Sequence, residues 1–419
     1  MTTQNIDRPT SNFKLDGLAI EIDGEPISFT PSHLLFLRYI ENIRSATIKM
    51  VITLTDSATG VLSKIEGMEP VIVSFSDHED NNITLQMVVY DVQDRQVRDG
   101  KTKISLMLCS QDVMNNASTK VSRRFGKGEG KDIGTMVEED ILKGLLASQQ
   151  NIDVEKSMNK LSFISNFWDP FTIIKWLAAR AIPSGGSGQN ASCGYAFFGT
   201  KTGYKFWSYD KLASQALTTE APNQIMVGYQ KEENENMENK LAIDSVDPIG
   251  STDVLQGLNY GSYNSMTITL DLADMKYEEH PFNITKYYDS VARLNPEKSL
   301  PKYYSGFNED VRHTRIMTKL LDTALFTEGT FTQDVTKQVS QAAFREILFY
   351  NKSVDISFTG KLDYEVGQVV ELYNYVGRDK KEDPTNGRYI IGHITREYST
   401  STDEMITHML LYTDIPGNY

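Results

Sequence analysis

The chain has 419 residues, with 42 Lys and Arg against 56 Asp and Glu, a formal net charge of -14. At roughly 100–200 residues per domain that length predicts about two to four domains, and at this mass about three quarters of the unfolded surface can be buried, so a core needs no disulfides. A composition of 40% hydrophobic and 23% charged residues excludes wholesale disorder, collagen and coiled coil, while the acidic balance excludes a protein that grips a phosphate backbone with surplus Lys and Arg.

The first 112 residues read as β, in keeping with 21 Tyr and 18 Phe in the chain. Leu18, Ile20 and Ile22 alternate with polar neighbours and run into Asp23-Gly24, a hairpin turn signal. Met50, Ile52 and Leu54 continue one face of the next strand from Ile48, and Lys49, Val51, Thr53 and Thr55 make the other. Val71, Val73 and Phe75 repeat the pattern, Asn81-Asn82 turns the chain into Ile83, Leu85 and Met87, and Asp99-Gly100 introduces Ile104, Leu106 and Leu108. Short strands at regular spacing suggest an antiparallel barrel or sandwich.

The character changes near residue 113. Asp132 reads as a helix N-cap, with Ile133, Met136, Val137, Ile141 and Leu145 at helical spacing after it. Asp169-Pro170 starts a second helix, with Phe171, Ile174, Leu177, Ala178 and Ala181 on its apolar face and Pro183 at its end. A loop from Pro183 to Cys193 leads to two aromatic strands joined at Thr200 to Gly203, so residues 113–212 form a mixed α/β module. Residues 213–240 are a transition ending in the acidic run Glu232 to Asn239. Met266, Ile268 and Leu270 mark a strand, Val311 to Leu325 a weak helical stretch, and Val335 to Phe349 a helix. Strands return at Val354, Ile356 and Phe358, at Val369, Val370 and Leu372, after Asp383-Pro-Thr-Asn-Gly387 at Tyr389, Ile391 and His393, and at Met405 to Tyr412.

Signatures of chemistry are absent. Cys109 and Cys193 read as two unpaired thiols, too few for a disulfide framework or a four-thiolate zinc site. None of His33, His78, His280, His313, His393 and His408 has the spacing of a zinc-protease motif. Gly126-Lys-Gly-Glu-Gly-Lys131 misses the Walker spacing and reads as a basic turn. The adjacent acids Glu138-Glu139 and Glu278-Glu279 are simplest as exposed helix or loop charges, and no G-x-S-x-G elbow is present. Asn190-Ala-Ser192 is a sequon by pattern only. The start, Met1 to Pro9, lacks a basic segment followed by an apolar one, and no run approaches the ~18 apolar residues of a membrane span. The expectation is a protein made in a reducing cytosol, with no catalytic, cofactor-binding or metal-binding residue, and an interaction or structural role.

The order of segments carries a resemblance. A leading β block ends in Ile104-Ser-Leu-Met-Leu-Cys-Ser-Gln-Asp112. Arg124-Phe-Gly126, Asp169-Pro-Phe-Thr-Ile-Ile-Lys-Trp-Leu-Ala-Ala-Arg-Ala181 and Gly194-Tyr-Ala-Phe-Phe-Gly-Thr-Lys-Thr-Gly-Tyr-Lys-Phe206 follow. The chain closes with Val354-Asp-Ile-Ser-Phe-Thr-Gly-Lys-Leu-Asp-Tyr-Glu-Val-Gly-Gln-Val-Val-Glu-Leu372 and Gly387-Arg-Tyr-Ile-Ile-Gly-His-Ile394. This resembles the baseplate hub protein of contractile-tailed bacteriophages, the T-even type, related to the hub part of type VI secretion spike proteins.

The resemblance implies a mainly β chain with two tube-type antiparallel β-barrel domains and two peripheral α/β domains, assembled as a homotrimeric ring. The first barrel falls on residues 1–112, the peripheral module on 113–212, the second barrel on 213–250 plus 335–419, and an inserted domain on 251–334. Implied partners are the spike on one side, the tail tube or a tube-initiator protein on the other, and further baseplate proteins. It implies DNA passage without sequence-specific nucleic-acid binding, no membrane insertion, and residence in the virion after assembly in the host cytoplasm. An alternative is a tail-associated receptor- or carbohydrate-binding protein, with Trp207, Tyr260 and Tyr263 as stacking aromatics.

Overall fold

Two runs of alternating strands, one near each end of the chain, meet in a single sheet. The computed structural model describes residues 13–56, 60–98, 100–128, 130–184, 193–229, 239–250, 254–261, 263–272, 274–283, 292–295, 313–321, 345–346, 349–350, 352–375 and 385–414. The sequon, nearly all of the acidic run from Glu232 and most of the helix expected over Val335 to Phe349 lie outside these residues.

The first block holds β1 (Lys14–Ile22), β2 (Glu25–Ser28), β3 (Leu34–Asn42), β4 (Lys49–Asp56), β5 (Pro70–Ser76), β6 (Asn82–Arg98) and β7 (Lys101–Cys109). The period-two pattern decides which side is core. Leu18, Ile20, Ile22, Met50, Ile52, Leu54, Val71, Val73, Phe75, Ile104, Leu106 and Leu108 are all buried in one cluster. At the first hairpin Asp23 and Gly24 both take positive φ, the backbone a tight two-residue turn between right-twisted strands requires.

A mixed module follows, with α1 (Gln111–Ser118), short strands β8 (Arg124–Phe125) and β9 (Lys131–Asp132), and α2 (Ile133–Thr135) continuing as a π-helix over Met136–Lys143. Strands β10 (Ile152–Val154), β11 (Lys160–Leu161) and β12 (Phe163–Ile164), then α3 (Pro170–Ala178), β13 (Tyr195–Thr200) and β14 (Gly203–Ser208) complete it. Both expected N-caps form: the Asp132 carboxylate accepts the Thr135 amide at 3.0 Å, and that of Asp169 accepts the Thr172 amide at 2.9 Å. The β13–β14 hairpin is buried on both faces because it is aromatic on both. Tyr195, Phe197, Tyr204 and Phe206 pack with the helices of this module, while Phe198 and Trp207 pack into the core of the second β block.

That second block contains α4 (Tyr209–Ser214), β15 (Gln224–Val227), β16 (Lys240–Ile243) and β17 (Val246–Gly250). After α5 (Val254–Tyr260), a separate sheet holds β18 (Asn264–Asp271), β19 (Lys276–Asn283) and β20 (Arg315–Leu321). The block resumes with β21 (Lys352–Thr359), β22 (Val369–Asn374), β23 (Gly387–Ser399) and β24 (Glu404–Thr413). Of the described residues, 52% are in strands against 16% in helices, so the described part is mostly β.

Three expectations need correction. No barrel closes among the described residues; one 14-stranded sheet runs β16-β15-β22-β23-β3-β4-β7-β6-β5-β1-β2, with β24, β21 and β17 branching from β23. The reason is β3. Its outer edge pairs antiparallel with β23 from His393↔Asn42 to Ser399↔Phe36, so it is not available to close the first block onto β2. The sheet is also mixed rather than antiparallel, because β15 runs parallel to both β16 and β22. Finally, Arg315–Leu321, inside the stretch expected to be helical, is a strand paired in parallel with β18 along its length.

The seam between the blocks is tight. β23 carries a bulge between Ile391 and His393, and at Gly392 an added Cβ would fall 2.1 Å from the Tyr412 ring. The same glycine's carbonyl accepts the Ile43 amide at 2.9 Å, tying the end of β3 to the bulge. Gly392→Ala is expected to lower unfolding free energy by about 1–3 kcal/mol, the usual range for an overpacked core, read from the urea midpoint. Gly17→Ala, whose methyl meets only Ser74 Cβ at 4.0 Å, is expected to shift stability by less than about 0.5 kcal/mol. Equal midpoints for the two variants would contradict a close-packed seam.

Candidate functional site

The register across the seam sets up two faces. On the inner face Arg396 lies opposite Tyr39, which lies opposite Met50 and then Leu108. Beside them sits Glu41, fully buried. Its carboxylate accepts the Tyr39 hydroxyl, the Lys201 amide at 3.1 Å from the β13–β14 turn, and the Val366 amide at 3.0 Å from the loop before β22. Lys201 Nζ donates to the carbonyls of Leu362 and Asp363 at 2.5 and 2.8 Å. Burial, and then the nearby Arg396 charge, push the Lys201 pKa down. The Arg396 guanidinium is fully buried, donates to the Tyr364 carbonyl at 2.7 Å and lies 5.5 Å from the Tyr39 ring centre. Glu365, also buried, pairs with Lys205 and accepts the Thr202 hydroxyl at 2.6 Å.

On the outer face one row runs unbroken through both blocks: Thr359, Ile406, Glu397, Arg38, Val51, Met107 and Asp91. Arg38 and Glu397 form an ion pair at 2.7 Å across the seam, and in the next row Thr53 and Ser105 share a hydrogen bond at 3.0 Å. This face mixes charged, small polar and apolar side chains.

A second junction is built on a carboxylate in a turn. Asp77, in the turn after β5, receives the amides of Leu362 at 2.9 Å, Glu79 at 3.0 Å and Asn81 at 3.0 Å. Burial alone would raise its pKa, but these hydrogen bonds outweigh it and hold the carboxyl below its usual range. Lys361 and Glu79 pair beside it.

The residues singled out in the sequence are scattered. Cys109 and Cys193 are buried free thiols, pushed by burial up to about 11 and about 12, so neither is a thiolate nucleophile. His393 bonds the Thr395 hydroxyl at 3.1 Å, and burial lowers its pKa. His33 bonds Thr30, His280 bonds Thr269 and His313 bonds Asn264. Among the described residues no group of three or more His, Cys, Asp or Glu could hold a metal ion. Gly126, Gly128 and Gly130 all have positive φ, as a turn requires. Glu138 and Glu139 are engaged by Lys143 and Lys131.

The three aromatics proposed to stack on sugars do not form an exposed platform. Tyr263 is buried, and the buried Trp207 ring lies under the ammonium groups of Lys205 at 4.7 Å and Lys211 at 3.9 Å. Only Tyr260 is exposed. A cleft of about 310 Å³ beside Trp207 is lined by polar groups that bond one another, among them Gln368 with Glu220 at 3.0 Å. The residue that sequence reasoning missed is Glu41. A lone carboxylate in a strand reads as a surface charge, and nothing in its local spacing shows the Lys201 and Val366 amides that arrive from elsewhere.

The fold recurs in solved structures. The 43 kDa tail protein of prophage MuSo2 from Shewanella oneidensis superposes with a TM-score of 0.55 at 9% identity, over 96% of this chain and 100% of that one. A tail protein from Neisseria meningitidis gives 0.53 at 10% identity, over 96% and 97%. The chain has the fold of phage tail proteins. A chain of a Francisella PdpA–VgrG complex gives 0.51 at 12% identity, over 98% of this chain and 54% of that one. No family model matches the sequence, and no curated protein does. Among the described residues no helix is long and apolar enough to cross a membrane.

The Asp77 junction gives a test with a defined sign. A carboxyl whose folded pKa is depressed contributes stability that is fully present above its unfolded value, about 4, and is lost as pH falls through the folded value. Asp77→Asn is expected to lose about 1–3 kcal/mol at pH 7 by chemical denaturation, because amides lose a charged acceptor. It should also show a shallower loss of stability than the wild type below pH 4. An unchanged pH slope would mean that Asp77 does not hold the junction.

Proposed function

We propose that the chain is a structural subunit of a phage-type tail, a baseplate hub. In this reading three copies form a ring that joins the sixfold tail tube to the trimeric spike and encloses a channel for DNA. The observation that carries it is the likeness over essentially the full length of both chains to tail proteins. The two β blocks, residues 1–112 and 213–250 plus 335–419, are the tube-forming parts; 113–212 and 251–334 lie outside them. Three copies would then present six tube-forming parts, which is what matching a sixfold tube to a threefold spike requires.

The reading assigns the chain no reaction, and places it in the tail of the virion. The VgrG-containing complex among the structural neighbours supports a spike-type partner. The net charge of -14 supports passage of DNA without retention, since a wall that neutralised phosphates would hold the genome.

Native mass spectrometry of the purified chain, alone and mixed with spike and tube proteins, is expected to show a trimer that takes up the spike. A strict monomer that ignores both would refute the hub reading. Duplex DNA is expected not to be retained in filter binding at physiological salt. Retention that weakens steeply as salt rises would refute free passage.

A further inference from the structure

The connection from Lys361 to Val366, between β21 and β22, is buried at every residue but Asp363, and it belongs to no strand or helix. Loops seldom run inside a protein, because their backbone groups then need partners. Here the partners arrive from three sides. The first β block supplies carboxylates: Asp77 accepts the Leu362 amide at 2.9 Å, Glu41 accepts the Val366 amide at 3.0 Å, and Glu79 pairs with Lys361. The mixed module supplies cations: Lys201 Nζ donates to the Leu362 and Asp363 carbonyls, and Lys205 pairs with Glu365. The second block adds the Arg396 guanidinium on the Tyr364 carbonyl at 2.7 Å, and the Pro222 carbonyl, which accepts the Tyr364 hydroxyl at 2.8 Å.

The side chains are divided in the same way. Leu362 is buried in the hydrophobic cluster of the first block, whereas Tyr364 and Val366 are buried in that of the second. Both ends of the connection are fixed. Lys361 leaves β21 with a φ of +65°, a conformation that a lysine keeps only where its surroundings hold it. Gly367 closes the connection at a φ of +92°, where an added Cβ would fall 2.9 Å from the Phe198 ring of β13.

We propose that residues 361–366 are an interlocking strap, which makes the first block, the mixed module and the second block open and unfold as one unit. A chain of 419 residues with three hydrophobic clusters would by default come apart stepwise. The strap closes that route. Moving the first block away uncovers Leu362 and takes the carboxylates of Asp77 and Glu41 from the strap's amides. Releasing the module takes the cations from two strap carbonyls and from Glu365. Either step leaves polar groups unpaired in the parts that have not opened, so it destabilises them too. A partner or a force acting on one part therefore acts on all three. This device lies within a single chain and holds whatever the chain assembles with.

Hydrogen exchange of the full chain, read by mass spectrometry across a urea series, follows the parts separately. The reporters are β4 and β7 for the first block, α3 for the module, and β23 and β24 for the second block. In the wild type the three are expected to lose protection at one shared midpoint. Leu362→Ala combined with Glu41→Gln loosens the strap's hold on the first block, whose midpoint is then expected to fall roughly 1 M urea below the other two. Ile20→Ala makes a cavity in the same core on β1, a strand that carries none of the strap's polar partners, and should lower all three midpoints together. If the double variant does not fold, Lys201→Met takes its place, and the module is then the part expected to separate. Distinct midpoints in the wild type overturn the interlock. So do strap variants whose three midpoints stay together, and so does a split produced by Ile20→Ala.

Discussion

The buried carboxylate of Glu41 is the point on which the molecule turns. It sits on the inner face of β3, and its donors come from β3 itself, from the β13–β14 turn and from the loop before β22. Those segments belong to the first block, the mixed module and the second block. A buried ion left without partners costs several kcal/mol, so the three parts share one requirement: all must be in place for any to be satisfied. Arg396, opposite Tyr39 across the seam, supplies the compensating positive charge nearby. Hydrophobic contact would hold the blocks together, but non-directionally. The amides that meet Glu41 fix their register.

Much of this was legible in the sequence wherever one face of a strand is core and the other is not. Leu18, Ile20 and Ile22, or Ile104, Leu106 and Leu108, announce themselves by alternation because each lies in a single cluster. The aromatic hairpin and both helix caps were legible for similar local reasons. β3 was not. Leu34-Leu35-Phe36-Leu37 is a run without alternation, and a bulge between Leu34 and Phe36 breaks the period further. Arg38 and Glu41 look like surface charges, yet one spans the seam on the outer face and the other anchors it within. The strand that joins the blocks thus carries its information in partners more than 300 residues away in sequence, which no local pattern encodes.

β20 failed differently. In β20, Ile316, Met317, Leu320 and Leu321 fit helical spacing as well as strand spacing, and pairing with β18 decided the outcome. In β18 the alternation of Met266, Ile268 and Leu270 marked a strand, and a strand forms there.

An open sheet of this length raises the question of its edges, since unpaired strands recruit other strands. Among the described residues its three terminal strands are short: β2 and β16 have four residues each and β17 has five, and β2 and β17 contain Pro26 and Pro248. The sheet is therefore poorly suited to grow by edge-to-edge hydrogen bonding. Faces join through side chains, whose charge and shape can be specific to a partner, whereas backbone edges accept almost any strand.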